Sequence, residues 1–297
     1  MAKNKPRRIL IFWLFRLSSI FIAALPLRAG LKLGQYLGKF SFYILKRERI
    51  KALNNLDIAF GGSKSIEEKR AIALKVFENL GKNFIEVISL PRFNKYNIDK
   101  YITCKNFQVM EDFLKEGKGL MILSAHFGNW ELLAHYLAIK RGGLNVIARR
   151  IRMERFEAFL DGIRRRNKVN VIYRDGPVKE IIDILKNNEV IGIMPDQDMD
   201  SVSGVFVDFF DRPAYTASGL AVLAYLTGAP IMPCFIIRFK FGHEIVLENL
   251  IKLSWTGNRD KDILENVQRY TAVIESYIRR FPSQWVWFHE RWKTRKI

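Results

Sequence analysis

After Gly119, short apolar runs alternate with longer amphipathic stretches, and this alternation limits the possible folds more than any other feature of the sequence. The apolar runs have the length of buried strands, whereas the stretches between them have helical periodicity. The pattern predicts an α/β fold with a largely parallel central sheet flanked by helices. Its predicted strands are 120–124, 144–148, 169–173, 190–194 and 231–239, and its predicted helices are 129–140, 152–167, 177–188 and 215–226.

The segments on either side of this region extend the prediction. Residues 49–90 have apolar positions at helical spacing, and Ser65 before two glutamates marks a helix start. Residues 243–250 suit an antiparallel edge strand, and residues 259–280 suit a last amphipathic helix. No repeat or flexible linker divides residues 41–297, so we expect one catalytic domain there. We expect a membrane anchor over residues 1–40.

The N-terminus combines a basic start with an apolar run over residues 9–27 that is interrupted by Arg16. A secretory signal would need a small-residue cleavage site, which the run lacks. A spanning helix would place Arg16 near the middle of the bilayer and would direct the rest of the chain outwards. We therefore expect an N-terminal helix at the membrane interface, followed by a basic and apolar segment held against anionic lipid. A solvated basic helix packed on its own domain is the alternative.

The net charge of +19 favours a polyanionic partner, which charge alone does not identify. Nucleic acid is not expected, because the basic residues are scattered and no known binding module is present. Cys104 and Cys234 are far apart and lack the spacing of a disulfide framework or a zinc site. The sequence thus predicts neither a metal nor a cofactor.

Residues 124–131, which follow the first predicted strand, carry the chemistry-bearing motif. Ligands of open α/β sheets bind at the carboxyl ends of strands. If His126 ends the strand and Gly128 allows the chain to turn, Glu131 falls in the first turn of the next helix. The pair would then supply an imidazole base and a carboxylate that fixes its tautomer, while a substrate hydroxyl is the nucleophile. The alternative is a structural histidine at the end of the strand.

The segment His126-Phe127-Gly128-Asn129-Trp130-Glu131 resembles the H-x4-[DE] signature of the glycerolipid acyltransferase superfamily, and in particular the late acyltransferases of lipid A biosynthesis. Further stretches fit that family: Arg149 within 147–150, Met194-Pro195-Asp196-Gln197-Asp198, residues 204–210, and the Trp-rich end over 282–293. The resemblance extends from the basic N-terminus to the C-terminus. Asp211 stands where the family pattern has Gly, and Arg150 stands where it often has Pro.

The resemblance implies an acyl carrier protein thioester as donor and a Kdo-lipid IVA-type lipid A precursor as acceptor. It also implies a location at the cytoplasmic face of the inner membrane of a Gram-negative bacterium, and the anionic membrane surface expected from the basic N-terminal segment agrees with that location. His126 and Glu131 would be catalytic in such an enzyme. The residues expected to bind the oxyanion or the substrate are Arg149, Asn129, Asp196 and Gln197.

Other hypotheses about the function stay open at this point. An acyltransferase could use another acceptor, such as a lysophospholipid or a glycolipid mannoside. A basic lipid-binding protein without chemistry is a hypothesis of a different class. The C-terminal tryptophans Trp285, Trp287 and Trp292 suit either an interfacial aromatic belt or the core beside the sheet.

Overall fold

The computed structural model describes residues 6–240 and 242–295. The helices of this part are α1 (Pro6–Ala24), α2 (Leu27–Ile44), α3 (Lys46–Phe60), α4 (Ile66–Ser89), α5 (Phe107–Leu114), α6 (Trp130–Arg141), α7 (Glu154–Arg166), α8 (Val178–Lys186), α9 (Gly219–Thr227) and α10 (Arg259–Arg280). Its strands are β1 (Ile102–Cys104), β2 (Leu120–Leu123), β3 (Leu144–Ala148), β4 (Val169–Tyr173), β5 (Val190–Ile193), β6 (Gly204–Asp208), β7 (Pro213–Ala217), β8 (Ile231–Phe239) and β9 (Gly242–Leu247).

The central sheet has the strand order β1-β9-β8-β2-β5-β3-β4. Every neighbouring pair is parallel except β8 and β9, which form an antiparallel hairpin. Strand β2 lies between β5 and β8, and its four residues are all buried. A fully apolar strand is the expected sequence of a parallel strand covered on both faces. The predicted α/β class and mostly parallel sheet are confirmed.

Two buried clusters cover the two faces of the sheet. Met121 and Leu123 belong to the cluster that includes α9, α10 and the C-terminal tryptophans. Leu120 and Ile122 point to the opposite face, into a cluster with α5, α6 and α7. This alternation follows from the two-residue repeat of a strand. The sheet is therefore the middle layer of the core.

The N-terminal helices pack on α4. Helix α2 approaches α4 so closely that a Cβ on Gly34 would lie 2.5 Å from the carbonyl oxygen of Gly81, and one on Gly38 would lie 2.2 Å from that of Phe77. Glycine is needed here because backbone meets backbone. The domain boundary predicted after residue 40 falls inside α2, so the division into anchor and catalytic domain stays a prediction.

Helix α1 is where the sequence predicts a membrane-associated helix. Within the described part of the chain, none of the helices combines the length and apolar composition that a bilayer span requires. Arg16, which interrupts the apolar run, lies with its guanidinium 4.9 Å from the centre of the Phe159 ring on α7. The outer side of α1 exposes a series of large apolar side chains: Leu10, Ile11, Trp13, Leu14, Leu17, Ile20 and Phe21.

One predicted helix is wrong in its first part. Residues 213–217 form strand β7, which pairs with β6 in an antiparallel hairpin, and helix α9 begins only at Gly219. The pairing partner over 204–208 supplies the hydrogen bonds that the apolar pattern of residues 215–226 does not reveal. By contrast, the last helix has the predicted bounds, and Ser65 caps α4 through a reciprocal pair of hydrogen bonds with Glu68.

Candidate active site

His126 follows the carboxyl end of β2, next to the carboxyl end of β5. The two strands are parallel and Leu123 is paired with Ile193, so the segments that follow them leave the sheet at the same edge. The Ser124 N–H donates a hydrogen bond to the Ile193 carbonyl oxygen (3.0 Å), which extends this pairing by one residue. The strand order thus brings residues 124–131 together with residues 194–198.

Asp196, which the sequence analysis placed among the residues that bind the oxyanion or the substrate, is instead the carboxylate that contacts the His126 ring. Its Oδ1 lies 2.9 Å from His126 Nδ1, and its Oδ2 accepts the backbone N–H of His126 at 2.9 Å. A carboxylate at Nδ1 keeps the proton on that nitrogen, so the basic lone pair is on Nε2. The His126 side chain is 24% exposed and borders a cavity, while the Asp196 side chain is fully buried. The buried Asp196 carboxylate therefore orients the His126 ring through Nδ1, and part of the ring is accessible from the cavity.

The electrostatics of the pair agree with this geometry. Burial alone would lower the pKa of His126, but the charge and the hydrogen bond of Asp196 outweigh burial and raise it above its usual value. Burial alone would likewise raise the pKa of Asp196, and the His126 ring and the indole N–H of Trp285 reverse that effect and lower it. Asp196 is thus an ionised partner that stabilises the protonated ring.

Glu131 does not make the contact predicted for it. Its two oxygens accept hydrogen bonds from Arg164 on α7, one from Nε at 3.0 Å and one from Nη2. Both side chains are about nine-tenths buried. The prediction that Glu131 fixes the tautomer of His126 is corrected, because Asp196 occupies Nδ1. Glu131 nevertheless borders the same cavity as His126.

Gly128 and Asn129 form the turn that leads from the strand into α6. Gly128 has φ = +59°, and a Cβ there would lie 1.9 Å from the carbonyl oxygen of Ile236. Asn129 is 1% exposed; its side chain accepts the N–H of Leu132 and donates to Glu86 at 2.7 Å. Both ends of the Asn129 amide thus serve the fold. Its predicted contact with the oxyanion or the substrate is corrected to a capping role.

A buried polar cluster supports this turn from α4 and β8. Glu86 is inaccessible to solvent and accepts hydrogen bonds from Arg238, His243 and Tyr101 besides Asn129. Burial alone would raise the pKa of Glu86, but the charge of Arg238 outweighs it and keeps that pKa well below its usual value. His243 is thus structural. The cluster joins the turn to the body of the protein.

A cavity of about 1060 Å³ opens at this edge of the sheet. One part of its lining is apolar and comes from α6 and β3: Leu133, Leu137, Leu144 and Val146. Another part is polar and comes from the segment after β5, which includes Gln197. The cavity therefore joins an apolar region to a polar one, with His126 on its wall.

Arginines line the cavity as well. Arg149, Arg174 and Arg259 border it; Arg149 and Arg259 are exposed, and Arg174 is half-buried. Among the described residues, none of these three makes an ion pair with a carboxylate, whereas Arg164 is neutralised by Glu131 and Lys293 lies 3.2 Å from Asp200. Such guanidinium groups suit phosphate. They give the cavity an anion-binding character.

The C-terminal tryptophans belong to the core. Trp285 and Trp287 are at most 1% exposed, which excludes an interfacial belt for these two residues. Trp285 Nε1 donates to Asp196 Oδ2 at 2.8 Å, and Phe127 and Trp285 form an antiparallel bridge. The contacts of Trp285 and Arg164 at the site were not predicted from the sequence. Neither has a motif of its own; their places depend on contacts between segments far apart in sequence.

Nearly the whole chain is similar in sequence to one family of known proteins. A sequence profile of the family described as "Bacterial lipid A biosynthesis acyltransferase" matches residues 2–294. The lipid A biosynthesis lauroyltransferase of Escherichia coli (strain K12) is 27% identical over 92% of this chain and 88% of its own length. The lipid A biosynthesis palmitoleoyltransferase of the same organism is 24% identical over 89% of this chain and 85% of its own length.

A third relative covers only part of the chain. The phosphatidylinositol mannoside acyltransferase of Mycobacterium tuberculosis (strain CDC 1551 / Oshkosh) is 28% identical over 52% of this chain and 51% of its own length. The relatives thus share acyl transfer in their names, although the names refer to different lipids. The profile covers nearly the whole chain, including both segments that carry the His126 and Asp196 pair. This chain is an acyltransferase that belongs to the bacterial lipid A biosynthesis acyltransferase family.

Proposed function

We propose that the chain transfers a fatty acyl group from an acyl carrier protein thioester to a hydroxyl of a Kdo-lipid IVA-type lipid A precursor, at the cytoplasmic face of the inner membrane. The single observation that supports the chemistry best is the contact of His126 with Asp196 at the wall of the cavity. It supplies a base whose Nε2 is directed away from its carboxylate partner. The family supplies the reaction class.

In the proposed reaction, Nε2 of His126 removes the proton from the acceptor hydroxyl as its oxygen attacks the thioester carbonyl carbon. The tetrahedral intermediate then collapses, the carbon–sulfur bond breaks, and the carrier thiol leaves with the proton from the imidazolium. Asp196 stabilises the imidazolium at Nδ1 throughout. Glu131 adds negative charge at the same cavity and holds Arg164. No covalent enzyme intermediate is needed.

The lining of the cavity matches the two ends of such substrates. An acyl chain suits the apolar part of the wall, where Leu133, Leu137, Leu144 and Val146 present hydrocarbon side chains. The phosphate groups of a lipid A precursor suit Arg149, Arg174 and Arg259, and Gln197 can bind a sugar hydroxyl. We propose Arg149 as the residue that meets the oxyanion or an acceptor phosphate. A net charge of +19 also favours encounter with an acidic carrier protein.

The first two helices supply the proposed contact with the membrane surface. Helix α1 exposes apolar side chains, and α2 exposes Tyr36, Phe40 and Tyr43 together with Lys32 and Lys39. Aromatic rings mixed with lysines are typical of surfaces that lie at lipid headgroups. An interfacial location would give the cavity access to a lipid acceptor without removing that acceptor from the bilayer.

A second candidate function keeps the chemistry and changes the acceptor. The match to a phosphatidylinositol mannoside acyltransferase favours a glycolipid mannoside as that alternative. It covers about half of either chain, whereas the lipid A relatives match along most of this chain. We therefore retain the lipid A precursor as the proposed acceptor.

The test is a transfer assay with purified full-length protein. Acyl carrier protein thioesters of several chain lengths are offered with Kdo-lipid IVA, with lysophospholipid or with phosphatidylinositol mannoside, and the products are weighed by mass spectrometry. We expect an acylated lipid A precursor from the wild type. His126→Ala should lower the rate by about 10³-fold or more while keeping the circular dichroism spectrum. Acylation of one of the other acceptors alone would contradict the assignment of the acceptor.

A further inference from the structure

The C-terminal segment Gln284–Thr294 contacts both partners of the His126 and Asp196 pair. Its backbone is hydrogen-bonded to the segment that follows β2: the Gly128 N–H donates to the Gln284 carbonyl oxygen (2.8 Å), and the Val286 N–H donates to the His126 carbonyl oxygen (3.1 Å). Its side chain Trp285 donates to Asp196 at 2.8 Å. One short stretch thus touches the base through its backbone and the carboxylate through an indole.

We infer that Trp285 is a positioning residue for acyl transfer, which fixes the Asp196 carboxylate against His126 and sets how strongly that carboxylate attracts the proton on the ring. This inference rests on the proposed function. Asp196 Oδ2 receives two N–H groups, from Trp285 and from the backbone of His126, and this leaves Oδ1 for the imidazole. The indole N–H therefore restricts the rotation of the Asp196 carboxylate, and its hydrogen bond stabilises part of the negative charge on that carboxylate.

The Trp285 ring has little freedom to move away. It is 1% exposed and packs edge to face on Trp287, with ring centres 4.7 Å apart, and on Phe209, with ring centres 5.8 Å apart. The backbone after it is held by Asn55, whose Nδ2 donates to the carbonyl oxygens of Trp287 and His289. A donor fixed in this way is organised before substrate arrives.

The rest of the segment is tied to the same edge of the sheet. Thr294 donates to Asp198 through its N–H (2.8 Å) and its hydroxyl (2.7 Å), and His289 Nε2 lies 2.9 Å from the Asp198 carbonyl oxygen. Arg291 Nη1 donates to the carbonyl oxygen of Tyr215 on β7. The segment therefore holds residues 196–198 by several contacts, of which the indole is the one that reaches Asp196.

Other charged groups act on the pair and are left in place by a change at Trp285. Glu131 on α6 favours the protonated form of His126, while Asp198, His289 and Arg291 interact electrostatically with the residues around Asp196. Because these charged groups remain in place, removal of the indole N–H isolates its own contribution to the pKa of His126. An Asp196 carboxylate with one donor fewer attracts the ring proton more strongly, so the pKa of His126 should rise.

The experiment compares Trp285→Phe with the matched control Trp287→Phe. Trp287 is equally buried, but its indole donates to the Pro282 carbonyl oxygen and not to a carboxylate. We expect Trp285→Phe to lower kcat about tenfold with little change in KM, and to move the acid limb of the pH profile upwards by about half a pH unit. Trp287→Phe should keep the wild-type pH profile.

A direct titration of the His126 ring by NMR gives a second readout that needs no substrate. It should show the same upward shift of the His126 pKa in Trp285→Phe. If that variant does not fold, replacement of Trp285 by benzothienylalanine removes the N–H and keeps the ring shape. Wild-type kcat and wild-type pKa values in either variant would overturn the inference. Full activity of Asp196→Asn or His126→Ala would instead overturn the proposed function, whatever Trp285 does.

Discussion

The guanidinium of Arg164 binds both carboxylate oxygens of Glu131, so the acidic residue of the H-x4-E motif is engaged by a cation on the neighbouring helix α7. The imidazole of the same motif is engaged by Asp196, from a loop 70 residues further along the chain. The motif thus contributes one residue to each of two ion pairs at the wall of one cavity. The two motif residues therefore have separate partners in this chain.

The Glu131 and Arg164 pair should be strongly coupled. Glu131→Ala or Arg164→Ala alone leaves a largely buried charge without its partner, and we expect each to lower the free energy of unfolding by about 3 kcal/mol. The double variant should lose less than the sum of the two. Urea denaturation of all four proteins measures the coupling. Strictly additive losses would show that the two side chains stabilise the protein independently.

Asp196→Asn should reduce kcat by about 10³-fold, because an amide can hold the wrong tautomer of His126 and does not stabilise the imidazolium. The remaining activity should have a changed pH dependence. In the wild type the pKa of His126 is raised, so the neutral base is lost as pH falls through a value above about 6.5. Without the carboxylate, burial dominates and the acid limb should move to lower pH. A limb that stays in place would contradict the pairing.

Gly128→Ala should destabilise the protein by more than about 3 kcal/mol, since the added Cβ meets the Ile236 carbonyl oxygen and φ is positive. Gly162→Ala is the matched control: this exposed glycine lies within α7 and has open space around its Cβ position. Alanine there should stabilise the helix by about 1 kcal/mol. Thermal denaturation of the two variants should give shifts of opposite sign.

Asp211→Gly should stabilise the β6 and β7 hairpin by about 0.5 kcal/mol. Phe210 and Asp211 are the two turn residues and both have positive φ, +56° and +58°. Such a turn favours glycine at its second position. The exposed ion pair of Asp211 with Arg279 contributes little. Asp211→Ala should be destabilising, so the melting temperatures of the two variants should fall on opposite sides of the wild type; an alanine variant as stable as the glycine variant would contradict this account.

Arg149→Ala should raise the KM for a phosphorylated acceptor or lower kcat, by about tenfold in either case. The adjacent Arg150→Ala serves as the control. Arg150 is also exposed, but its guanidinium lies over the Tyr173 ring and it does not line the cavity. Steady-state kinetics of both variants on the same acceptor decide the question. Equal effects would mean that only the general charge of this edge matters.

Periodicity sufficed for most of the fold because buried parallel strands and amphipathic helices have distinct repeats. It failed at residues 213–217, where strand β7 depends on hydrogen bonds to β6, a partner that apolar spacing does not encode. It also failed to place β9, which was predicted at an edge of the sheet and lies between β8 and β1. The boundaries of α10, by contrast, follow from its own amphipathic pattern and its Asn258 cap.

The site was predictable in part for a similar reason. His126 could be located because a strand end, a glycine and a helix start are local signals. The choice of Asp196 over Glu131 as its partner depends on β5 lying beside β2, which is a property of strand order. Trp285 and Asn129 likewise take their roles from tertiary contacts, with Asp196 and with Glu86.

Helix α4 has a special place in this architecture because backbone of α2 rests directly on it at Gly81. Two residues before and two residues after that contact, Asn79 and Asn83 hold the carbonyl oxygens of Ser283 and Gly128. A displacement of α2 would therefore be transmitted through α4 to the turn that follows His126 and to the segment that contains Trp285. The helices proposed to lie at the membrane and the pair proposed to catalyse acyl transfer are therefore connected through one helix, α4.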